Sequence, residues 1–183
     1  MSLLVIMGKS ASGKDLVVNE LIKKHDYKKL VAYTTRPMRD DEKQDATYHF
    51  ISEEEFIGKI KDDFFAEYRK YLTVKGIWYY GSAKEDCGTD DKLIAILPPE
   101  GVESLKSKGI NPTVIYLYSN QATIKNRLAK RGDDKDEAER RMKADNTDFR
   151  RAEMLADRIV YNNGNKSLEE VVDEIAKWGG ALT

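Results

Sequence analysis

Five apolar residues in a row, Leu3 to Met7, run straight into "GKSASGKD", Gly8 to Asp15. An uninterrupted apolar run of this kind fits a strand buried on both faces. Beyond the loop, Leu16, Val17, Leu21 and Ile22 recur at helical spacing, with Asn19, Glu20, Lys23 and Lys24 on the opposite side. The chain therefore opens as strand, glycine loop and helix. That order turns successive backbone N–H groups toward one anion, and the helix end adds partial positive charge. Seven of the eight loop positions fit G-x-x-x-x-G-K-[ST], in which the lysine reaches the β and γ phosphates of a nucleoside triphosphate. An ordinary strand-to-helix turn could hold the same residues, but the placement after the first strand favours a phosphate cradle. Its members are Gly8, Lys9, Ser10, Ala11, Ser12, Gly13, Lys14 and Asp15.

The eighth position usually carries a hydroxyl that ligates Mg²⁺, and here it is Asp15. A carboxylate is also a hard oxygen ligand for Mg²⁺. It equally favours a helix N-terminus, by about 0.3–1 kcal/mol. The two roles are compatible, and the sequence leaves both open.

Global charge adds no second signal. The 183 residues are 34% charged and sum to a net charge of −1, so neither nucleic acid nor an anionic membrane is expected as a partner. A single cysteine, Cys87, excludes an internal disulfide framework and a cysteine metal cluster. No apolar stretch approaches the ~18–20 residues that span a bilayer. The start is too short and too abruptly polar for a secretory signal, so the expected location is the cytoplasm.

Further along, "KKLVAY", "KLIAIL", "TVIYLY" and "RIVYN" read as strands that join the first in a parallel sheet, with helices between them. "SEEEFIGKI" and "SLEEVVDEIAKW" begin with capping boxes, Ser52/Glu55 and Ser167/Glu170. From Thr34 to Gly81 the runs shorten and aromatic residues alternate, as in a small mixed sheet inserted into the larger fold. The stretch from Asn120 to Ala156 is helical and heavily charged, interrupted around "KRGDDKD". The fold class is α/β: a five-stranded parallel core flanked by helices, with the inserted region and a helical lid. There is no internal repeat and no low-complexity linker.

In the inserted block, "TTRPMRDDEKQDATYHF" places Arg36 and Arg39 three apart in a loop, with Tyr48 on the next strand and Tyr79–Tyr80 further on. Guanidinium forks suit bidentate phosphate binding. On composition alone, solvated loop arginines and packed strand tyrosines explain these residues better.

The block resembles the monophosphate-binding region of guanylate kinases, in which T-T-R-x-x-R, a polar turn and Y-x-F follow in this order. "FFAEYRKY" and "WYYGS" are similar to the next two signature pieces, and with "GKSASGKD" the resemblance runs in register over nearly the whole chain. It implies a single domain of the P-loop NTPase fold: core 1–31, 84–124 and 157–183, monophosphate-binding region 32–83, lid 125–156. It implies ATP with Mg²⁺ as donor and small-molecule nucleotides as partners; oligomeric state is not legible. By position, Arg36, Arg39, Tyr48 and Tyr80 would hold the acceptor phosphate. Glu67 would accept from the N1 and amino groups of guanine, and Ser82 would line the base pocket. Lys14, Arg36 and the lid arginines Arg127, Arg131 and Arg141 would serve the transfer itself, with Arg140 an acceptable substitute for Arg141. The loop near Asn163 would border the adenine.

Three positions depart from the family. Ala32 stands where a base-reading serine is usual, and Ile96 and Pro98 replace two carboxylates. The phosphate grip is complete while half of the base reader is gone. Guanine remains the expected base, because Glu67 disfavours adenine, whose N1 carries no hydrogen. Asp15 could restore charge lost from the neighbouring strand. The expected reaction is ATP + GMP or dGMP to ADP and the diphosphate. Two alternatives stay open: a kinase for another nucleoside monophosphate or small phosphorylated acceptor, and a non-catalytic phosphopeptide-binding module.

Overall fold

A computed structural model describes residues 2–73, 76–88 and 92–180. The last three residues of the expected C-terminal core segment lie outside the described residues. Strand β1 (Ser2–Met7) lies at the centre of a five-stranded sheet, flanked by β7 (Lys92–Ile96) and β8 (Thr113–Tyr118). Strands β2 (Lys28–Lys29) and β9 (Arg158–Tyr161) close its edges, and every pairing is parallel.

The central position explains the uninterrupted apolar run. Leu3, Val5 and Met7 join one core cluster, with Val102 and Leu105 of α4 (Pro99–Ser107) and Ala152 of α7 (Ala152–Leu155). Leu4 and Ile6 join the other, with Val17 and Leu21 of α1 (Lys14–His25) and Val171, Val172 and Ile175 of α8 (Leu168–Gly180). Both faces are covered, so both sets of alternating side chains are buried.

Two local expectations are corrected. The helix face of α1 is Val17, Val18 and Leu21, while Leu16 is 62% exposed. Apolar spacing fits either stripe, and the direction of the sheet decides between them. "KKLVAY" is not one buried strand. Its lysines form the exposed edge strand β2, and Tyr33–Thr34 form β3 in a different sheet.

That second sheet has the order β4-β3-β6-β5. Strand β4 (His49–Phe50) pairs parallel to β3, while β6 (Gly76–Ala83) runs antiparallel to both β3 and β5 (Phe65–Thr73). Its own small core stacks Phe56 of α2 (Glu53–Lys61) on Phe65, beside Tyr79. Ser52 caps α2 by accepting the Glu55 N–H at 3.1 Å. At α8 the capping box is reciprocal, Ser167 N–H to Glu170 at 2.7 Å and Glu170 N–H to Ser167 Oγ at 3.2 Å.

A short helix α3 (Lys84–Cys87) leads back toward the core. The charged stretch forms α5 (Gln121–Arg131) and α6 (Lys135–Asp148), separated where Gly132 takes φ +75°. Among the described residues no helix is long and apolar enough to cross a membrane. The ends of β1, β7, β8 and β9 all point to one side, where open α/β sheets place their ligands.

Candidate active site

The loop after β1 is built to expose N–H groups. Gly13 has φ +92°, and a Cβ there would come within 2.8 Å of Asn162 Nδ2, so only glycine fits. From behind, Arg127 donates through Nη1 to the carbonyls of Ala11 (3.1 Å) and Ser12 (3.0 Å), and through Nη2 to the Asn162 carbonyl (3.0 Å). Asn162 Nδ2 adds a second bond to the Ser12 carbonyl at 2.9 Å. Within a trans peptide the C=O and the following N–H point oppositely, so fixing the Ser12 carbonyl outward turns the Gly13 N–H inward.

Lys14 folds over the loop and donates to the Lys9 carbonyl at 3.2 Å. Burial lowers its pKa below the ordinary lysine value, opposed by Asp15 and Asp145 nearby. Asp15 is exposed and lines two cavities at once.

The first cavity, about 530 Å³, is lined by Asp15 from the loop, Tyr48, Arg69, Tyr80 and Ser82 from the mixed sheet, and Arg140 from the lid. The second, about 560 Å³, is lined by Gly13, Lys14, Asp15, Arg127, Arg131 and Asn162. Asn162 and Gly164 face this second cavity, whereas the side-chain carbonyl of Asn163 accepts the Asn120 N–H at 2.8 Å.

Arg36 is buried under the acceptor end. Its Nη2 meets Glu42 Oε1 at 2.6 Å, and its guanidinium lies 5.6 Å from the Tyr48 ring centre. Glu42 raises the Arg36 pKa, with a smaller contribution from Tyr80, and is itself held below the usual carboxylate range by Arg36. The Tyr48 and Tyr80 rings meet edge to face at 5.8 Å. Arg39 is different: its side chain is exposed, and its backbone N–H donates to Glu42 Oε2 at 2.8 Å.

Glu67 and Ser82 face each other across β5 and β6, and Ser82 Oγ donates to Glu67 Oε1 at 2.7 Å. Glu67 is fully buried, and Arg69 Nε sits 3.0 Å from its Oε2.

The lid arginines divide. Arg131 shares the second cavity with Lys14 and lies near enough to lower its pKa. Arg140, not Arg141, lines the first cavity. Arg141 is drawn to Glu137 at 2.8 Å and to Asp133 at 3.7 Å. Arg127, expected over the phosphoryl group, lines the second cavity and also braces the loop through the Ala11 and Ser12 carbonyls. The end of α6 also docks on that loop, through Asp145 to the Ser10 N–H at 2.7 Å and Lys9 Nζ to Asn146 at 2.7 Å.

Sequence reasoning passed over Glu42, Arg69 and Asp145. Arg69 was readable, since it stands two residues from Glu67 on a strand and so shares its face. Asp145 and Glu42 carry no comparable local signal.

The family model described as guanylate kinase matches residues 1–178. The chain belongs to the guanylate kinase family. A guanylate kinase of Clostridium tetani is 35% identical over 143 residues, covering 74% of this chain and 66% of that protein. One from Thermotoga maritima is 31% identical over 179 residues, covering 94% and 83%. A crystal structure of guanylate kinase from Anaplasma phagocytophilum superposes with TM-score 0.73 at 20% identity, covering 99% of this chain and 85% of that one. At that identity the superposition speaks for the shared fold.

Proposed function

We propose that this guanylate kinase family member transfers the γ-phosphoryl group of ATP to GMP or dGMP. The observation that carries the reading is one cavity reached by Asp15 of the phosphate loop, Tyr48 and Tyr80 of the acceptor sheet and Arg140 of the lid. A phosphate-loop carboxylate, two acceptor-sheet tyrosines and an α6 arginine reach the same cavity, which supports in-line transfer.

The loop amides and Lys14 hold the donor phosphates. Arg36, Tyr48 and Tyr80 orient the acceptor phosphate, whose oxygen is already ionised and needs no general base. Arg131, in the second cavity, and Arg140, in the first, offset charge on the moving group. Closure of α6 onto the loop excludes water and restrains ATP hydrolysis.

Among the described residues no group of three or more His, Cys, Asp and Glu is arranged to hold a metal. Asp15 alone fits Mg²⁺, which takes most of its ligands from phosphate and water. Bound there with ATP, the ion would neutralise phosphate charge.

A coupled ADP-release assay across GMP, dGMP, IMP, AMP, UMP and CMP tests the reading. Turnover with GMP that disappears in Lys14→Ala supports it. Absence of ADP release with every acceptor overturns it.

A further inference from the structure

The second cavity joins two kinds of surface. Lys14, Lys130, Arg131 and Lys166 bring positive charge to it, against the carboxylate of Asp15. Leu16 and Leu168 also line it, and they are 62% and 40% exposed. A single exposed leucine is ordinary. Here two, one from the first turn of α1 and one from the first turn of α8, border the same cavity as the glycine loop. They form an apolar shelf beside a grip for phosphate.

The edge of a base finds little to read there. A site that chose ATP over GTP would need a hydrogen-bond acceptor for the 6-amino group of adenine, because a 6-oxo group in its place leaves that acceptor unpaired. The acceptors of Asn162 and Asn163, where the chain leaves β9, are already committed. Asn162 Oδ1 accepts Arg127 Nη2 at 3.3 Å, and the Asn162 carbonyl accepts Arg127 Nη2 at 3.0 Å and Ser119 Oγ at 2.7 Å. Asn163 Oδ1 accepts the Asn120 N–H at 2.8 Å, and the Asn163 carbonyl accepts Thr123 Oγ1 at 3.3 Å. Gly164 has no side chain to offer. Lys166 is a donor only, and its Nζ is held by Glu174 at 2.6 Å.

We propose that the donor site holds its nucleotide by the triphosphate and by the flat face of the base, which rests on Leu16 and Leu168, and does not read the base edge. GTP and ITP are therefore phosphoryl donors alongside ATP. This rests on the reading of the second cavity as the donor site. Apolar contact is non-directional, so one leucine shelf serves adenine, guanine and hypoxanthine alike. The charge around Lys14 then selects for the triphosphate, which the three nucleotides share.

Calorimetric titration of the β,γ-imido analogues of ATP and GTP, with Mg²⁺, into the full chain saturated with GMP tests this without turnover. GMP fills the acceptor site, so the guanine of the GTP analogue cannot bind there instead. The two analogues are expected to bind within about fivefold of each other. In Leu168→Ser both are expected to weaken together by roughly 3- to 10-fold, as for the loss of part of one apolar contact, while inorganic tripolyphosphate binds as it does to the wild type. Leu168 is exposed, so its replacement leaves the core intact, and Leu16→Ser on the other helix should give the same pattern. An ATP analogue bound more than about fivefold tighter than the GTP analogue overturns the proposal. So do leucine variants that leave both analogues unaltered, or that weaken tripolyphosphate equally. A strong ATP preference alongside ADP release with GMP would leave the kinase reading standing. Equal binding of the analogues without ADP release to any acceptor would overturn the kinase reading alone.

Discussion

The Asp145 carboxylate accepts the backbone N–H of Ser10 at 2.7 Å, so a side chain of α6 sits on the glycine loop proposed to receive phosphate. Beside it, Lys9 Nζ donates to Asn146 at 2.7 Å. A carboxylate held by a loop amide repels an incoming triphosphate and must yield to it. Asp145→Asn keeps an acceptor for Ser10 and removes the charge. ATP affinity in that variant is expected to rise about 3- to 10-fold by calorimetry, with GMP affinity unchanged. Unaltered or weaker ATP binding would show that Asp145 does not compete.

In the proposed reaction, Lys14 is the charge that makes the loop a donor site. Lys14→Met is expected to lower kcat by at least ~100-fold, the cost of removing one preorganised charge donor, with GMP affinity within about twofold. The pH dependence has a definite sign. Burial lowers the Lys14 pKa, so the ammonium is lost, and ATP affinity falls, at a pH below the ordinary lysine value of about 10.4. That alkaline limb should vanish in Lys14→Met.

Asp15 lines both cavities and is the exposed carboxylate nearest Lys14 in the chain. Asp15→Ala is expected to reduce Mg²⁺-dependent turnover by ~100-fold or more while GMP binds normally; Asp15→Ser, with the usual hydroxyl, should regain most of it. Equal loss of GMP binding in Asp15→Ala would assign the residue to the helix end rather than to the metal.

What the sequence made legible follows from how local each signal is. The strand, loop and helix from Leu3 to Ile22 announce themselves because sterics and burial act within a few residues. The capping serines Ser52 and Ser167 do the same. Leu16 misled because helical spacing fixes a period but not which stripe the sheet will cover. "KKLVAY" misled because two short strands in different sheets look like one longer strand until tertiary pairing separates them. In the site, spacing and family resemblance pointed to the loop residues Gly13, Lys14 and Asp15 and to Tyr48, Tyr80 and Ser82, which line the two cavities. The partners reached across the fold were hidden, such as Asp145 on Ser10, 135 residues apart. Arg127 shows the limit best: its charge and position suggested a place at the phosphates, and its five-way hold on Ala11, Ser12, Ser119 and Asn162 was not legible beside it.

Arg36 and Glu42 give the last prediction. Their 2.6 Å pair is largely shielded from water, and Glu42 also accepts the Arg39 N–H. The pair thus folds the 36–42 loop around the guanidinium proposed to hold the acceptor phosphate. Its contribution to stability has a sign fixed by linkage. Arg36 depresses the Glu42 pKa, so the stabilisation is complete above the unfolded glutamate value of about 4.3 and is lost as pH falls through the lower, folded value. Thermal melts of the wild type and Glu42→Gln should therefore differ by a few degrees at pH 7 and converge in acid, below the depressed folded value of Glu42. The same variant leaves Arg36 without its competing carboxylate, so GMP affinity at neutral pH should hold or rise even as Tm falls. A parallel drop in both would mean that Glu42 presents Arg36 to the phosphate rather than competing with it. Melts that stay equally far apart at every pH would mean that the charge on Glu42 contributes nothing to the loop.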